Sequence, residues 1–248
     1  MAKSQFVILG DTYMSSGRFD EAYKYYLEAA IGEKDPDAIV KLAGMYLDDK
    51  YLRTDYEKAF RYFTMAYDLG LEPFKLMDKI VWNVNKLHDD ETGSREYRKF
   101  LEHIYDEEVG YLNIWLADEH LNGVFGTDID KFIKLCEKAG EVGESVGYDL
   151  LGELYFKGEH VKQDYEKAFK YFTENNGGAS DTKLFYLSEM YRCGLYVEKD
   201  TEKAKEYCRE LIDYLLDLDE DPSETMFYDK ARLHLKELEA MNEGKEEN

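Results

Sequence analysis

Two nearly identical stretches of nine residues, DYEKAFRYF at positions 55–63 and DYEKAFKYF at positions 164–172, decide the fold class of this chain. They differ only by Arg61 in the first copy and Lys170 in the second. An active site is rarely duplicated within one chain, whereas a packing unit that recurs is typical of a repeat protein. The pair therefore indicates an internal structural repeat.

Weaker copies of this block reveal the period of the repeat. Its alanine recurs with separations of 37, 109 and 36 residues, and the longest separation corresponds to three periods. A second motif precedes the block and reads Leu, a small residue, two variable residues and Tyr. Its copies are LGDTY (9–13), LAGMY (42–46), LGELY (151–155) and LSEMY (187–191), with a weaker copy, LADEH, at 116–120.

Each unit is predicted to form two helices. The Leu and Tyr of the first motif are four residues apart, which places them on one helix face. Asp55 and Asp164 are suited to cap the second helix, because their carboxylates can accept the free backbone N–H groups. Ala59 and Gly152 are small enough for another helix to approach closely. Gly158 is suited to a left-handed helix end.

This pattern predicts an all-α repeat protein with about six helix-turn-helix units. We expect an array over residues 1–222, then a capping helix at 223–242 that begins after Ser223, and a tail at 243–248. The third unit is expected to read as helix, Gly-containing turn and helix. The six units are expected at roughly 4–37, 38–73, 74–110, 111–145, 146–180 and 181–218.

The repeated letters resemble the Sel-one-like repeat (SLR), a longer relative of the tetratricopeptide repeat. The best match, residues 148–180, carries the residues Leu151, Gly152, Tyr155, Gly158, Val161, Asp164, Ala168 and Phe172. The resemblance implies a right-handed α-solenoid with a concave groove that acts as an interaction scaffold and not as an enzyme. It covers roughly residues 5–215.

Composition limits the choice of partners. The net charge is −22, and counting by segment gives −9 for residues 101–150 and −8 for residues 201–248. Such a surface repels nucleic acids and anionic membranes and attracts basic proteins, although the charge could also serve solubility alone. Three cysteines without a paired spacing and the lack of a long apolar run indicate a cytoplasmic protein.

No catalytic, cofactor-binding or metal-binding motif stands out. The five histidines are dispersed, and the sequence has no phosphate-binding glycine loop of the GxxxxGK[ST] type. NNGG (175–178) could bind a phosphate, but a helix end is the simpler interpretation. We therefore expect no cofactor, no metal and no enzymatic activity.

One position of the first helices is acidic in four units. The residue after the small residue of the first motif is Asp11, Asp118, Glu153 or Glu189, and we call these four residues the acidic row. The next position is mostly apolar and is predicted to be mostly buried. The first helices line the concave face in a solenoid of this kind, so we place the acidic row in the groove. Neighbouring groove candidates are Met14, Leu121, Phe156, Lys157, Phe185 and Arg192.

Acids interleaved with large apolar side chains suit a basic, partly apolar peptide or helix. The alternative is a solvated helix face in a chain with 54 acidic residues. Trp82 faces the groove in one register of the third unit and would be a binding hot spot there. A shift of one residue buries it, and burial is the outcome we favour.

Two functions remain from these observations. The first is a scaffold that binds a protein or peptide, for which the charge favours a basic partner. The second is an acidic inhibitor, or nucleic-acid mimic, that blocks a basic site on another protein. They differ in salt dependence, because binding through charge alone weakens steeply with ionic strength.

Overall fold

The computed structural model describes residues 4–106, 108–122, 126–174, 178–218 and 225–246, with side chains described up to residue 240. Ser223, the expected cap of the last helix, lies outside the described residues. So does the NNGG stretch except for Gly178.

The regular structure of these residues is helical, which confirms the predicted all-α fold class. Consecutive helices pack in pairs, α1 with α2, α3 with α4, α10 with α11 and α12 with α13. The helices are α1 (Gln5–Ser15), α2 (Phe19–Glu28), α3 (Pro36–Leu47), α4 (Tyr56–Asp68), α5 (Pro73–Ile80), α6 (Val84–His88), α7 (Glu91–Ile104), α8 (Gly110–Asn122), α9 (Ile129–Glu141), α10 (Val146–Lys157), α11 (Tyr165–Glu174), α12 (Asp181–Cys193), α13 (Thr201–Leu216) and α14 (Tyr228–Glu246).

The chain divides into two compact units. One comprises Met1–Asp106 with Asp118–Thr127, and the other comprises Glu107–Ala117 with Asp128–Asn248. The nine-residue twins fall one in each unit. Their buried side chains are Ala59, Phe60 and Phe63 in the first unit, and Ala168 and Phe172 in the second.

The aspartates of the twin blocks cap their helices as predicted. The Asp55 carboxylate accepts a hydrogen bond from the backbone N–H of Lys58 at 3.0 Å, and Asp164 accepts the equivalent bond from Lys167 at 3.0 Å. In the sixth predicted unit Asp200 accepts the same bond from Lys203 at 3.0 Å. These bonds satisfy backbone donors that the first helical turn leaves without a partner.

The lysine of the twin block also contacts the tyrosine in the last turn of the preceding helix. The Lys58 ammonium lies 5.2 Å from the ring centroid of Tyr46, and Lys167 lies 4.7 Å from that of Tyr155. In addition, the backbone N–H of Asp164 donates to the carbonyl of Tyr155 at 2.9 Å. The two motifs therefore recur together because the start of the second helix contacts the tyrosine of the first helix and so fixes the connection between them.

Small residues let the paired helices approach closely, as the sequence predicts. A methyl group on Gly152 of α10 would lie 2.4 Å from the ring of Phe172 on α11. Gly158, at the end of α10, and Gly194, at the end of α12, have left-handed backbones with φ of 71°. A residue with a β-carbon is strained in that conformation.

The third predicted unit departs from the expected helix, glycine turn and helix. Its first helix is broken, since α5 is followed by a 3-10 turn at Val81–Asn83 and by the short α6. The turn before α7 lies at Asp89 and Asp90, whereas Gly93 is buried inside α7. The sequence prediction of a glycine turn is wrong because Asp90 caps α7 by accepting the Gly93 N–H at 2.8 Å.

The last helix, α14, begins at Tyr228 and continues to Glu246, so it extends into the stretch predicted to be a tail. It packs against α13. Phe227, Ala231 and Leu238 are buried. Phe227 and Ala231 join the hydrophobic core that Leu211, Leu215 and other residues of the second unit form.

Candidate functional site

The acidic row lies on first helices at half-buried positions, but its carboxylates already contact donors of the same chain. Asp118 accepts a hydrogen bond from Asn122 on its own helix, with Nδ2 at 2.7 Å. Asp11 and Glu153 accept hydrogen bonds from tyrosines of other helices, and Glu189 accepts them from Arg192 of its own helix. A basic ligand at these positions therefore has to compete with internal partners.

Asp11 on α1 binds donors from the next two helices. It accepts a hydrogen bond from the Tyr26 hydroxyl of α2 at 2.8 Å and forms an ion pair with Lys41 of α3 at 3.0 Å. Burial, followed by the hydrogen bond to Asp11, raises the pKa of Tyr26. The hydroxyl therefore remains a donor at neutral pH.

Glu153 on α10 has a similar arrangement in the second unit. It accepts a hydrogen bond from the Tyr186 hydroxyl of α12 at 3.0 Å, and Lys157 one turn later lies 2.6 Å away. Burial, followed by the charge of Glu153, raises the pKa of Tyr186. The ring of Phe156 is half-buried and packs on Tyr186 with centroids 4.6 Å apart.

Glu189 on α12 lies between an arginine and a histidine. Arg192 donates to both of its oxygens at 2.7 Å, and Nδ1 of His234 on α14 lies 2.9 Å from Oε1. Burial lowers the pKa of His234, an effect that Glu189 opposes and Arg192 reinforces. The row acid thus connects α12 to the last helix.

The apolar groove candidates differ in accessibility. Met14 and Leu121 are half-buried, as Phe156 is. Phe185 is only 7% exposed, because its ring stacks on Phe227 at 4.6 Å, so the prediction that it lines a groove is wrong.

The position after the acidic row is mostly buried, as predicted. Met45, Leu154 and Met190 are buried, and so is the acid at this position, Glu119. His88 forms a hydrogen bond with the Glu119 carboxylate, and Arg98 donates to its backbone carbonyl at 2.6 Å. Burial raises the pKa of Glu119. Sequence reasoning missed this pair, although a lone acid in a mostly apolar row was a signal for it.

Two comparisons with known proteins find related repeats. The family model described as Sel1 repeat matches residues 19–32, 36–71, 146–174 and 184–213. These four stretches are Sel1 repeats. Sel1 repeats generally mediate protein–protein interactions and typically form non-catalytic scaffolds. A search of curated protein sequences gives no match.

One solved structure with an SLR fold shares the fold of this chain. A protective antigen present in uropathogenic Escherichia coli, which displays an SLR fold, aligns over 94% of this chain and 48% of that one, at 18% identity and a TM-score of 0.52. This chain therefore spans about half the length of that antigen. A Sel1 repeat protein from Oxalobacter formigenes aligns over 91% of this chain and 98% of that one, at 18% identity and a TM-score of 0.49.

A strongly exposed tryptophan lies between the second and third stretches that match the Sel1 repeat. Trp82, in the 3-10 turn after α5, is 85% exposed, so the favoured alternative of burial is wrong. Phe74 is 64% and Val81 is 48% exposed. All three lie within nine consecutive positions, Phe74 in α5 and the other two in the 3-10 turn that follows it. We call Phe74, Val81 and Trp82 the α5 apolar face.

The described residues offer no metal site or membrane span. Within the ranges given above, no group of three or more His, Cys, Asp or Glu side chains could hold a metal ion. In the same part of the chain, every helix is too short or too polar to cross a bilayer.

Proposed function

We propose that this Sel1-repeat protein is a non-catalytic scaffold that binds a partner protein through the α5 apolar face. The observation that carries the proposal is the exposure of Trp82, together with that of Phe74 and Val81 in the same stretch of nine residues. Exposed clusters of large apolar side chains mark interaction surfaces, and tryptophan is enriched among residues that dominate binding energy. Trp82 also lies outside the stretches that match the Sel1 repeat, so the repeat pattern does not account for a tryptophan at this position.

The proposed partner is basic. A net charge of −22 attracts positively charged proteins over long distances and accelerates their association. The acidic row supports this preference less directly, because Glu153 and Glu189 already contact Tyr186 and Arg192. We therefore assign the row mainly to contacts between helices and the choice of partner to the exposed surface.

A pull-down from the native cell tests the proposal. Wild-type protein, Trp82→Ala and Ile31→Ala are immobilised, since Ile31 is also a largely exposed apolar side chain of the first unit, at 71%. We expect a partner retained by wild type and Ile31→Ala but lost with Trp82→Ala. Equal retention by all three proteins would contradict the role of Trp82.

The same experiment at low and high salt separates the two functions. Binding that depends on Trp82 and persists at high salt supports the scaffold. Binding that disappears at high salt and ignores Trp82→Ala supports the acidic inhibitor or nucleic-acid mimic, because exposed charges are screened within about 10 Å at 0.1 M salt.

A further inference from the structure

A groove with several cationic side chains lies between α4 and α7 of the first unit. It encloses about 560 Å³ and is lined by Arg61 and Thr64 of α4 and by Arg95, Lys99 and His103 of α7. Phe60 and Phe100 form its floor. We call this the α4–α7 groove.

The location of these cations is unusual for so acidic a chain. Residues 51–100 carry nine basic and nine acidic side chains, whereas residues 101–150 have a net charge of −9. The groove is lined by three cations from this balanced segment, Arg61, Arg95 and Lys99, and by two acids, Glu57 and Glu96. His103 also lines it and lies 2.9 Å from Asp68. It is therefore a local site for negative charge.

The internal acids hold the cations of the groove to different degrees. Glu96, whose side chain is only 16% exposed, lies 2.8 Å from Lys99 and 3.1 Å from Arg95. Arg95 also lies 3.4 Å from Glu57, and this pair contributes little free energy because both side chains are exposed, at 42% and 69%. Among the described residues Arg61 has no ion-pair partner within 4.0 Å. A ligand carboxylate can thus bind Arg61 and replace Glu57 beside Arg95 at small cost.

The spacing of the cations fits an extended peptide. Arg95, Lys99 and His103 follow one another at intervals of four residues, which corresponds to about 6 Å along a helix. Alternate side chains of an extended strand are about 6.6–6.8 Å apart and lie on one face. Carboxylates at every second residue would therefore meet Arg95 and then Lys99 of α7.

The surrounding charge favours a short acidic segment over a nucleic acid. A nucleic acid carries a phosphate on every nucleotide, and a strand longer than the groove would continue over a protein of net charge −22. A peptide can restrict its carboxylates to the few residues that occupy the groove.

We propose that the α4–α7 groove binds an acidic, extended peptide segment of a partner protein, with carboxylates at alternating positions. This site is separate from the α5 apolar face and has the opposite charge preference to the rest of the chain. A scaffold with both sites brings an acidic segment and a basic partner onto one molecule.

Fluorescence anisotropy of the full chain tests the groove. The probe is a short fluorescein-labelled peptide of alternating Glu and Ser, and the reference is the same peptide with Gln in place of Glu. We expect the Glu peptide to bind at least about tenfold more tightly than the Gln peptide, with an affinity that falls as salt is added. Equal affinities, or tighter binding of an oligothymidylate of the same charge, would overturn the proposal.

The twin block provides a matched control. Arg61→Glu changes the groove, whereas Lys170→Glu changes the same position of the other twin, on α11 of the second unit. We expect Arg61→Glu together with Lys99→Glu to weaken binding at least about tenfold and Lys170→Glu to change it less than about twofold. Equal losses would show a general charge effect and would refute the site.

Two further variants keep the test decisive. Circular dichroism checks helicity, and Arg61→Gln replaces Arg61→Glu if charge reversal reduces it, with a smaller loss expected in the same direction. Trp82→Ala should bind the Glu peptide as wild type does. A failure of the groove is thereby distinguished from a failure of the α5 apolar face.

Discussion

The Tyr186 hydroxyl of α12 donates a hydrogen bond to Glu153 of α10 at 3.0 Å, so a carboxylate predicted to face a ligand connects two first helices. The same row position connects α1 to α3 through Asp11 and Lys41. It connects α12 to α14 through Glu189 and His234. Recurrence of an acid at one repeat position therefore has a structural cause that is independent of any ligand.

Removal of the Tyr186 hydroxyl tests this role. Tyr186→Phe is expected to lower the free energy of unfolding by about 1 kcal/mol, since the Glu153 carboxylate loses a donor. Tyr62→Phe is the control, because the Tyr62 hydroxyl makes no hydrogen bond to a described residue. Chemical denaturation measures both, and a double-mutant cycle with Glu153→Gln isolates the pair. Equal effects of the two Tyr→Phe changes would contradict the assignment.

The close approach of α10 and α11 predicts opposite effects for two glycines. Gly152→Ala is expected to destabilise the protein by about 1–3 kcal/mol, because the new methyl group would lie 2.4 Å from the Phe172 ring. Gly44→Ala in α3 meets no atom within 4 Å and should stabilise by about 0.4–1 kcal/mol. Thermal or urea denaturation compares the two, and a neutral Gly152→Ala would refute the packing.

His234 predicts a pH dependence of stability. Its pKa in the folded protein lies below the ordinary value of 6.5, so the unfolded chain binds a proton first as the pH falls. The contribution of His234 to the free energy of unfolding is complete above pH 6.5. It is lost as the pH falls from there towards the pKa of His234 in the folded protein. The charged groups that act on this pKa are Glu189 and Glu237, which raise it, and Arg192 and Lys230, which lower it.

Urea denaturation at neutral and mildly acidic pH measures this effect. His234→Gln should lose part of the decline in stability below pH 6.5 that wild type shows. The exposed His160, in the connection between α10 and α11, provides the control variant His160→Gln, which should retain the decline. The same pH dependence in both variants would show that His234 is not responsible.

The sequence predicted the repeat architecture because the same packing problem recurs along the chain. Asp55 and Asp164 cap their helices and Gly158 ends α10 in the left-handed conformation, and each of these roles depends only on neighbouring residues. Local rules of this kind can be read from one sequence.

The site was harder to predict because its determinants lie on different helices. Tyr186 and His234 are 33 and 45 residues from the acids they contact, and no local pattern links them. Phe185 shares α12 with Glu189, yet Phe227 covers it. Trp82 lies in the break between α5 and α6, so extrapolating the repeat register could not determine its exposure.

The central claim is that a partner protein contacts the chain at Trp82. Site-specific photo-crosslinking in the native cell measures this directly, with a benzophenone amino acid in place of Trp82 or, as the control, in place of Ile31. The account predicts a discrete protein adduct from position 82 and none of the same mass from position 31. No adduct at position 82, or the same adducts from both positions, would contradict it.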